Sequence, residues 1–138
     1  MSYKKKKILA IVPARSGSKS VFRKNLKKIG KFSLIARVAQ ICGELEWLDH
    51  SIISTDDTEM QNEGIKFNLD APFIRPAELA SDKSSAIDVW SHALIESEKY
   101  YKTVFNISIL LEPSSPFRKS EHVTQTVEKL IEGISNER

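Results

Sequence analysis

The residues of this chain best suited to chemistry gather near its start: Arg15, Lys19, Arg23 and Lys24, interleaved with Ser16, Gly17 and Ser18. Fixed cations beside small residues, whose backbone amides a ligand can approach closely, make a site for a polyanion. The apolar, β-branched run over residues 8–12 has the pattern of a strand buried on both faces, and Pro13 ends it. A strand that empties into such a loop is expected to hold phosphate, here the triphosphate of a nucleotide. Neither G-x-G-x-x-G nor G-x-x-x-x-G-K-[ST] is present, because Gly17 is the only glycine between the strand and Lys24. Arg15 and Lys24 would then supply the charge that a dinucleotide fold takes from a helix end. By composition alone, a solvated basic loop stands as the alternative.

The net charge of +3 conceals an asymmetry, since residues 1–43 carry twelve of the 21 Lys and Arg and no Asp or Glu. Such a cation source suits a nucleotide, a nucleic acid or an acidic lipid surface. Aromatic residues do not interleave with the bases as in a stacking platform for single strands, so no nucleic-acid partner is expected. No apolar run approaches the roughly 18–20 residues of a bilayer span. Lysines 4–7 followed by residues 8–12 imitate a signal peptide, but the apolar part is too short. A cytoplasmic protein with no membrane partner is expected. Its 138 residues support one domain. Cys42, the single cysteine, excludes an internal disulfide and offers no metal cluster. His50, His92 and His122 have no spacing suited to zinc or a triad and are expected to be structural or exposed.

The elements that must position these loops follow from periodicity. Leu34, Ile35, Val38, Ile41 and Cys42 recur at helical spacing behind Ser33 as N-cap, which places Cys42 in the core. Residues 51–54 predict a second strand, and Asp57 can cap a helix over about 58–67. Phe73 and Ile74 suggest a brief third strand. A helix over about 84–101 would pack Ile87, Trp90, Ala93 and Leu94. Residues 104–111 predict a further strand, and Ser120 caps a last helix carrying Val123, Val127, Leu130, Ile131 and Ile134. The sum is α/β: an open, mostly parallel sheet with helices on both faces, whose ligand sites lie beyond the carboxyl ends of the strands. The polar loops 13–25, 54–57, 75–83 and 112–119 all fall there. By composition alone Arg75 reads as a surface arginine before a proline.

Five segments add a resemblance: P-A-R-S-G-S-K at 13–19, K-N at 24–25, S-T-D-D at 54–57, R-P-A-E-L-A-S-D at 75–82 and L-E-P-S-S-P-F-R at 111–118. In this order they resemble the acylneuraminate cytidylyltransferases, the CMP-sialic acid synthetases and their relatives acting on legionaminic or pseudaminic acid. The resemblance implies a Rossmann-like nucleotidyltransferase fold, truncated relative to the family, with residues 1–138 as the CTP-binding part. The implied reaction transfers CMP from CTP to a nine-carbon acidic sugar and releases pyrophosphate.

Arg15 and Lys24 take the catalytic positions. Ser16, Gly17, Ser18, Lys19, Asn25, Arg75, Ser84 and Ser85 take nucleotide-binding positions, with Arg75 at the cytosine ring. The same resemblance implies that Glu112, Ser114 and Ser115 face the acceptor sugar. Magnesium is implied, but its late Asp-x-Asp pair is not in these residues, so no metal ligand is assigned; neither is the arm through which longer members form homodimers. Four positions depart from the family pattern. Ser20 replaces a usual Gly, Lys83 a Thr, and Ala86 a serine that can touch the base. Glu112 stands where Gln is common, and an ionised carboxylate cannot donate as an amide does. That change alters contacts to the sugar or marks a sugar other than N-acetylneuraminate. A nucleotide-binding module without chemistry is the competing reading. A transferase for KDO is the more distant one, against which G-S-K and K-N argue.

Overall fold

A computed structural model describes residues 6–15, 28–29, 32–81 and 84–113. Its elements in chain order are β1 (Ile8–Pro13), β2 (Lys28–Ile29), β3 (Phe32–Ser33), α1 (Leu34–Glu44), β4 (His50–Ser54), α2 (Thr58–Lys66), a short 3-10 turn (Ala77–Leu79), α3 (Ala86–Tyr101) and β5 (Ile107–Leu110). β1 is the middle strand, parallel to β4 on one side and β5 on the other, with Leu9 opposite His50 and Ile8 opposite Ile107. That position explains why a continuous apolar run was needed. Ala10 and Val12 face one cluster with Ile35, Val38, Ala39 and Cys42 of α1 and Met60 of α2. Leu9 and Ile11 face the other, with Ile52, Phe105 and α3 residues Trp90, Ala93 and Leu94. The expected α/β architecture, a parallel sheet covered on both faces, is therefore present.

Local chemistry sets the helix starts. Ser33 Oγ accepts from Ala36 N at 3.0 Å and donates to Glu63 Oε2 at 2.5 Å, capping α1 and tying it to α2. Asp57 Oδ1 accepts from Glu59 N at 2.8 Å and Met60 N at 3.3 Å, and Ser85 Oγ accepts from Asp88 N at 3.0 Å. Each such cap satisfies amides that a helix start leaves without partners. Gly64 lets α2 approach β4 closely: a Cβ there would meet Ile53 Cγ2 at 3.1 Å. Trp90 Nε1 donates to Ser108 Oγ at 2.7 Å, joining α3 to β5.

Several expectations change. No strand forms at Phe73 and Ile74; instead Asp70 bridges to Ile52, with Ile53 N donating to Asp70 O and Asp70 N to Ser51 O, both at 2.9 Å. Pro72 lacks the amide that would extend this pairing. Ile87, expected on the packed stripe, is 72% exposed, because the face that α3 buries runs through Val89, Ala93 and Ser97. Val104 is likewise exposed: α3 ends on left-handed Lys102, and β5 begins only after Asn106 N and Ile107 N have both bonded to Lys7 O. The β2–β3 pair, Lys28 opposite Ser33 and Ile29 opposite Phe32, has no helical or strand signal in the sequence. The expected helix after Ser120 lies outside the described residues, as does His122. His50 stacks on Tyr101 with centroids 3.7 Å apart, and His92 meets Phe73 edge-on at 4.9 Å, so both serve packing.

Cys42 is buried, and that burial pushes its thiol up from 9.0 to about 12. The fold thus holds the proton more tightly than the unfolded chain does. The stabilisation is complete below pH 9 and is lost as pH rises towards 12, at roughly 1.4 kcal/mol per pH unit. Chemical denaturation of the parent and Cys42→Ala between pH 8 and pH 11 should show a steeper alkaline loss in the parent. Parallel curves would contradict this assignment.

Candidate functional site

The three parallel strands end together. β1 gives way to Ala14 and Arg15, β4 to Thr55, Asp56 and Asp57, and β5 to Leu111, Glu112 and Pro113. The chain leaves β1 towards β4 and later returns on the opposite side as β5, which makes the β1–β5 boundary the point where strand order reverses. A crevice beyond the carboxyl ends at such a point is where open α/β sheets bind ligands.

Arg75 joins this place from a fourth segment. Its backbone N donates to Thr55 O at 2.7 Å, which hooks the 75–81 segment onto the end of β4. The side chain turns inward and is 4% exposed, so the surface reading of this arginine is corrected. Nε donates to Ser54 Oγ at 3.1 Å, Nη2 to Ser54 O at 2.7 Å and Nη1 to Leu79 O at 3.3 Å. Ser54 O also accepts from Ala14 N at 2.9 Å, so one carbonyl links β1, β4 and the guanidinium. Burial pulls the Arg75 pKa below its ordinary value, while the charges of Asp56 and Glu112 raise it and that of Arg15 lowers it. Groups from the ends of all three strands therefore act electrostatically on one guanidinium, which stays charged because an arginine is not deprotonated in proteins.

Arg15 is half-buried directly after β1, and Glu112 is exposed directly after β5. Ser84 Oγ donates to Glu78 O at 3.1 Å, and Ser85 caps α3, so both hydroxyls hold local backbone. Ala86 opens that helix and is exposed. Ser16, Gly17, Ser18, Lys19, Lys24, Asn25, Ser114 and Ser115 lie outside the described residues, as do Ser20 and Lys83. The structure thus brings Arg15, Arg75 and Glu112 to one end of the sheet, with Ser84 hydrogen-bonded to the segment that Arg75 anchors. Sequence reading placed Ser54 at a strand end and in the S-T-D-D segment of the resemblance but gave it no role of its own. The available signal was a hydroxyl at the last position of a buried strand, where an apolar residue would be the default.

Among the described residues no group of three or more His, Cys, Asp or Glu is placed to hold a metal ion. Asp57 Oδ1 is taken by the α2 cap. These residues alone do not fit a magnesium site, and no step is derived through one. No helix among the described residues is long and apolar enough to cross a membrane.

The sequence profile of the cytidylyltransferase family matches residues 9–136. The chain is 37% identical over 109 residues to CMP-N,N'-diacetyllegionaminic acid synthase of Campylobacter jejuni, covering 79% of this chain and 46% of that protein. It is 36% identical over 121 residues to N-acylneuraminate cytidylyltransferase of Escherichia coli, covering 88% of this chain and 27% of that one. Among solved structures, CMP:2-keto-3-deoxy-manno-octonic acid synthetase complexed with CTP aligns with a TM-score of 0.70 at 22% identity, over 94% of this chain and 48% of the other. That likeness shows the fold alone. The chain spans about half the length, or less, of these relatives. Its strand order, its basic first loop and the profile match lead to one assignment: the chain belongs to the cytidylyltransferase family.

Proposed function

We propose that residues 1–138 form the CTP-binding part of an enzyme that transfers a cytidylyl group to a nine-carbon acidic sugar of the sialic acid type. The observation that carries this reading is the gathering of Arg15, Arg75 and Glu112 at the carboxyl end of a parallel sheet. The names of the relatives support the acidic-sugar class. The anomeric hydroxyl oxygen attacks the α-phosphorus in line. As the new P–O bond forms, the bond to the bridging oxygen breaks and pyrophosphate leaves with that electron pair. The hydroxyl proton passes to solvent or to a base outside the described residues.

In this reading Arg15 and Lys24 hold the phosphates and stabilise the charge that builds on them, the work that dominates phosphoryl transfer. Backbone amides around Gly17, with Ser16, Ser18 and Lys19, line the triphosphate, and Asn25 contacts the nucleotide beside them. Arg75 faces the cytosine ring, with Ser84 and Ser85 near it. Glu112, Ser114 and Ser115 approach the sugar. Magnesium, for which the described residues offer no site, and a homodimer are part of the proposal for the complete protein only.

The test is pyrophosphate release from CTP, with magnesium, using sialic, legionaminic, pseudaminic and KDO acceptors on the protein at its natural length. Release is expected only when CTP and a nine-carbon acid are both present. No release with any of the nine-carbon acids from a folded protein would overturn the proposal.

A further inference from the structure

Ser54 has no exposed surface, yet it carries the two acceptors that fix the direction of Arg75. A guanidinium has five N–H donors in a rigid plane. The edge formed by Nε and Nη2 closes on Ser54, one bond to its hydroxyl and one to its carbonyl, while Nη1 gives one proton to Leu79 O. Three donors are thereby satisfied inside the protein. What remains is one proton on each of the terminal nitrogens, two donors that Ser54 does not engage.

We propose that Ser54 is a positioning residue for base selection: its hydroxyl and carbonyl clamp one edge of Arg75 so that the remaining pair of donors meets the ring of a pyrimidine nucleotide. The inference rests on the proposed role of Arg75 and extends it to a residue that touches no ligand. Cytosine presents a carbonyl oxygen and an unprotonated ring nitrogen side by side, two acceptors for two donors. Uracil carries a proton on that nitrogen, so one guanidinium N–H would face another donor. Discrimination therefore depends on which edge of the guanidinium is offered, and the Ser54 clamp decides it. The Ser54 carbonyl is itself held by Ala14 N, so the clamp is referenced to the middle strand of the sheet.

Ser54→Ala removes the hydroxyl acceptor and leaves the backbone bond, so that Nε loses its partner and the clamp on that edge of the guanidinium is loosened. Ser54→Thr restores the hydroxyl on a β-branched residue suited to a strand. The readout is the ratio of dissociation constants for UTP and CTP, measured by calorimetry on the protein at its natural length beside Arg75→Lys and the parent. The parent should prefer CTP. Ser54→Ala should shrink that preference by roughly tenfold, in line with the loss of one hydrogen bond to a charged group, and Ser54→Thr should recover most of it. A merely structural serine would weaken both nucleotides alike and leave the ratio unchanged. An unchanged ratio in Ser54→Ala, with the ratio lost in Arg75→Lys, overturns the role of Ser54 alone. Should Ser54→Ala prove unstable, an unchanged ratio in Ser54→Cys, which keeps the volume but weakens the acceptor, overturns it equally. No preference in the parent, or an unchanged ratio in Arg75→Lys, removes the proposed role of Arg75 and this inference with it.

Discussion

Arg15→Ala should lower the rate of CTP turnover by about 10²–10³-fold, the usual consequence of removing one donor to developing charge. Arg15 follows β1 directly and lies close enough to Arg75 for its charge to be felt there. Its backbone is thus anchored at the end of the most deeply buried strand of the sheet, and a charge delivered from such an anchor reorganises less when the phosphate becomes more negative. Arg15→Lys keeps the charge and loses the planar fork, so it should fall between the parent and alanine. Lys24→Ala should weaken CTP binding itself, with little change in unfolding midpoint. A turnover number within about threefold of the parent in Arg15→Ala would contradict the role given to Arg15.

Ile11→Ala should destabilise the fold by about 2–5 kcal/mol, the range for emptying a well-packed aliphatic site. Ile11 has no exposed surface, lies opposite Ile52 on one side and Leu110 on the other, and packs with Leu9, Ala93 and Phe105. A cavity there has two strands and a helix around it, none of which can close in without disturbing the others. Against a total stability of about 5–15 kcal/mol this is a large fraction. Urea unfolding should show a lower midpoint with an unchanged slope. Ile87→Ala, at a residue 72% exposed, should stay within about 0.5 kcal/mol of the parent. Equal losses at the two positions would contradict the assignment of the core.

These two isoleucines also mark the reach of the sequence. Residues 8–12 could be placed because a strand buried on both faces must be apolar throughout, whatever its neighbours. Ser33 and Asp57 could be placed as caps because a cap is chemistry between residues two or three apart. Ile87 could not, since its helical spacing with Trp90 and Leu94 says nothing of where the sheet stops beneath α3. Phe73 and Ile74 have strand-forming side chains, but the ladder ends at Asp70, and Arg75 N is drawn instead to Thr55 O. The start of β5 depends on a carbonyl at Lys7, far away in sequence.

The site divides the same way. Arg15 and Glu112 were legible as loop charges after strands, and both stand at strand ends. Arg75 by itself looked like a surface residue, because nothing adjacent to it announces the buried acceptors on Ser54. Only a partner 21 positions earlier explains its inward turn. That dependence is also why Ser54, though part of the S-T-D-D segment, was given no role of its own: a serine ending a strand acquires meaning from the guanidinium it holds.

In the proposed function, CTP is bound so that an acidic sugar can displace pyrophosphate from it. The most direct test is ³¹P NMR of CTP mixed with N-acetylneuraminic, legionaminic or pseudaminic acid, magnesium and the protein at its natural length. The triphosphate resonances are expected to decay into equal amounts of pyrophosphate and a single phosphodiester signal from the CMP-sugar. A spectrum that stays unchanged with every one of these acids, or that yields inorganic phosphate and CDP without a phosphodiester, would contradict it.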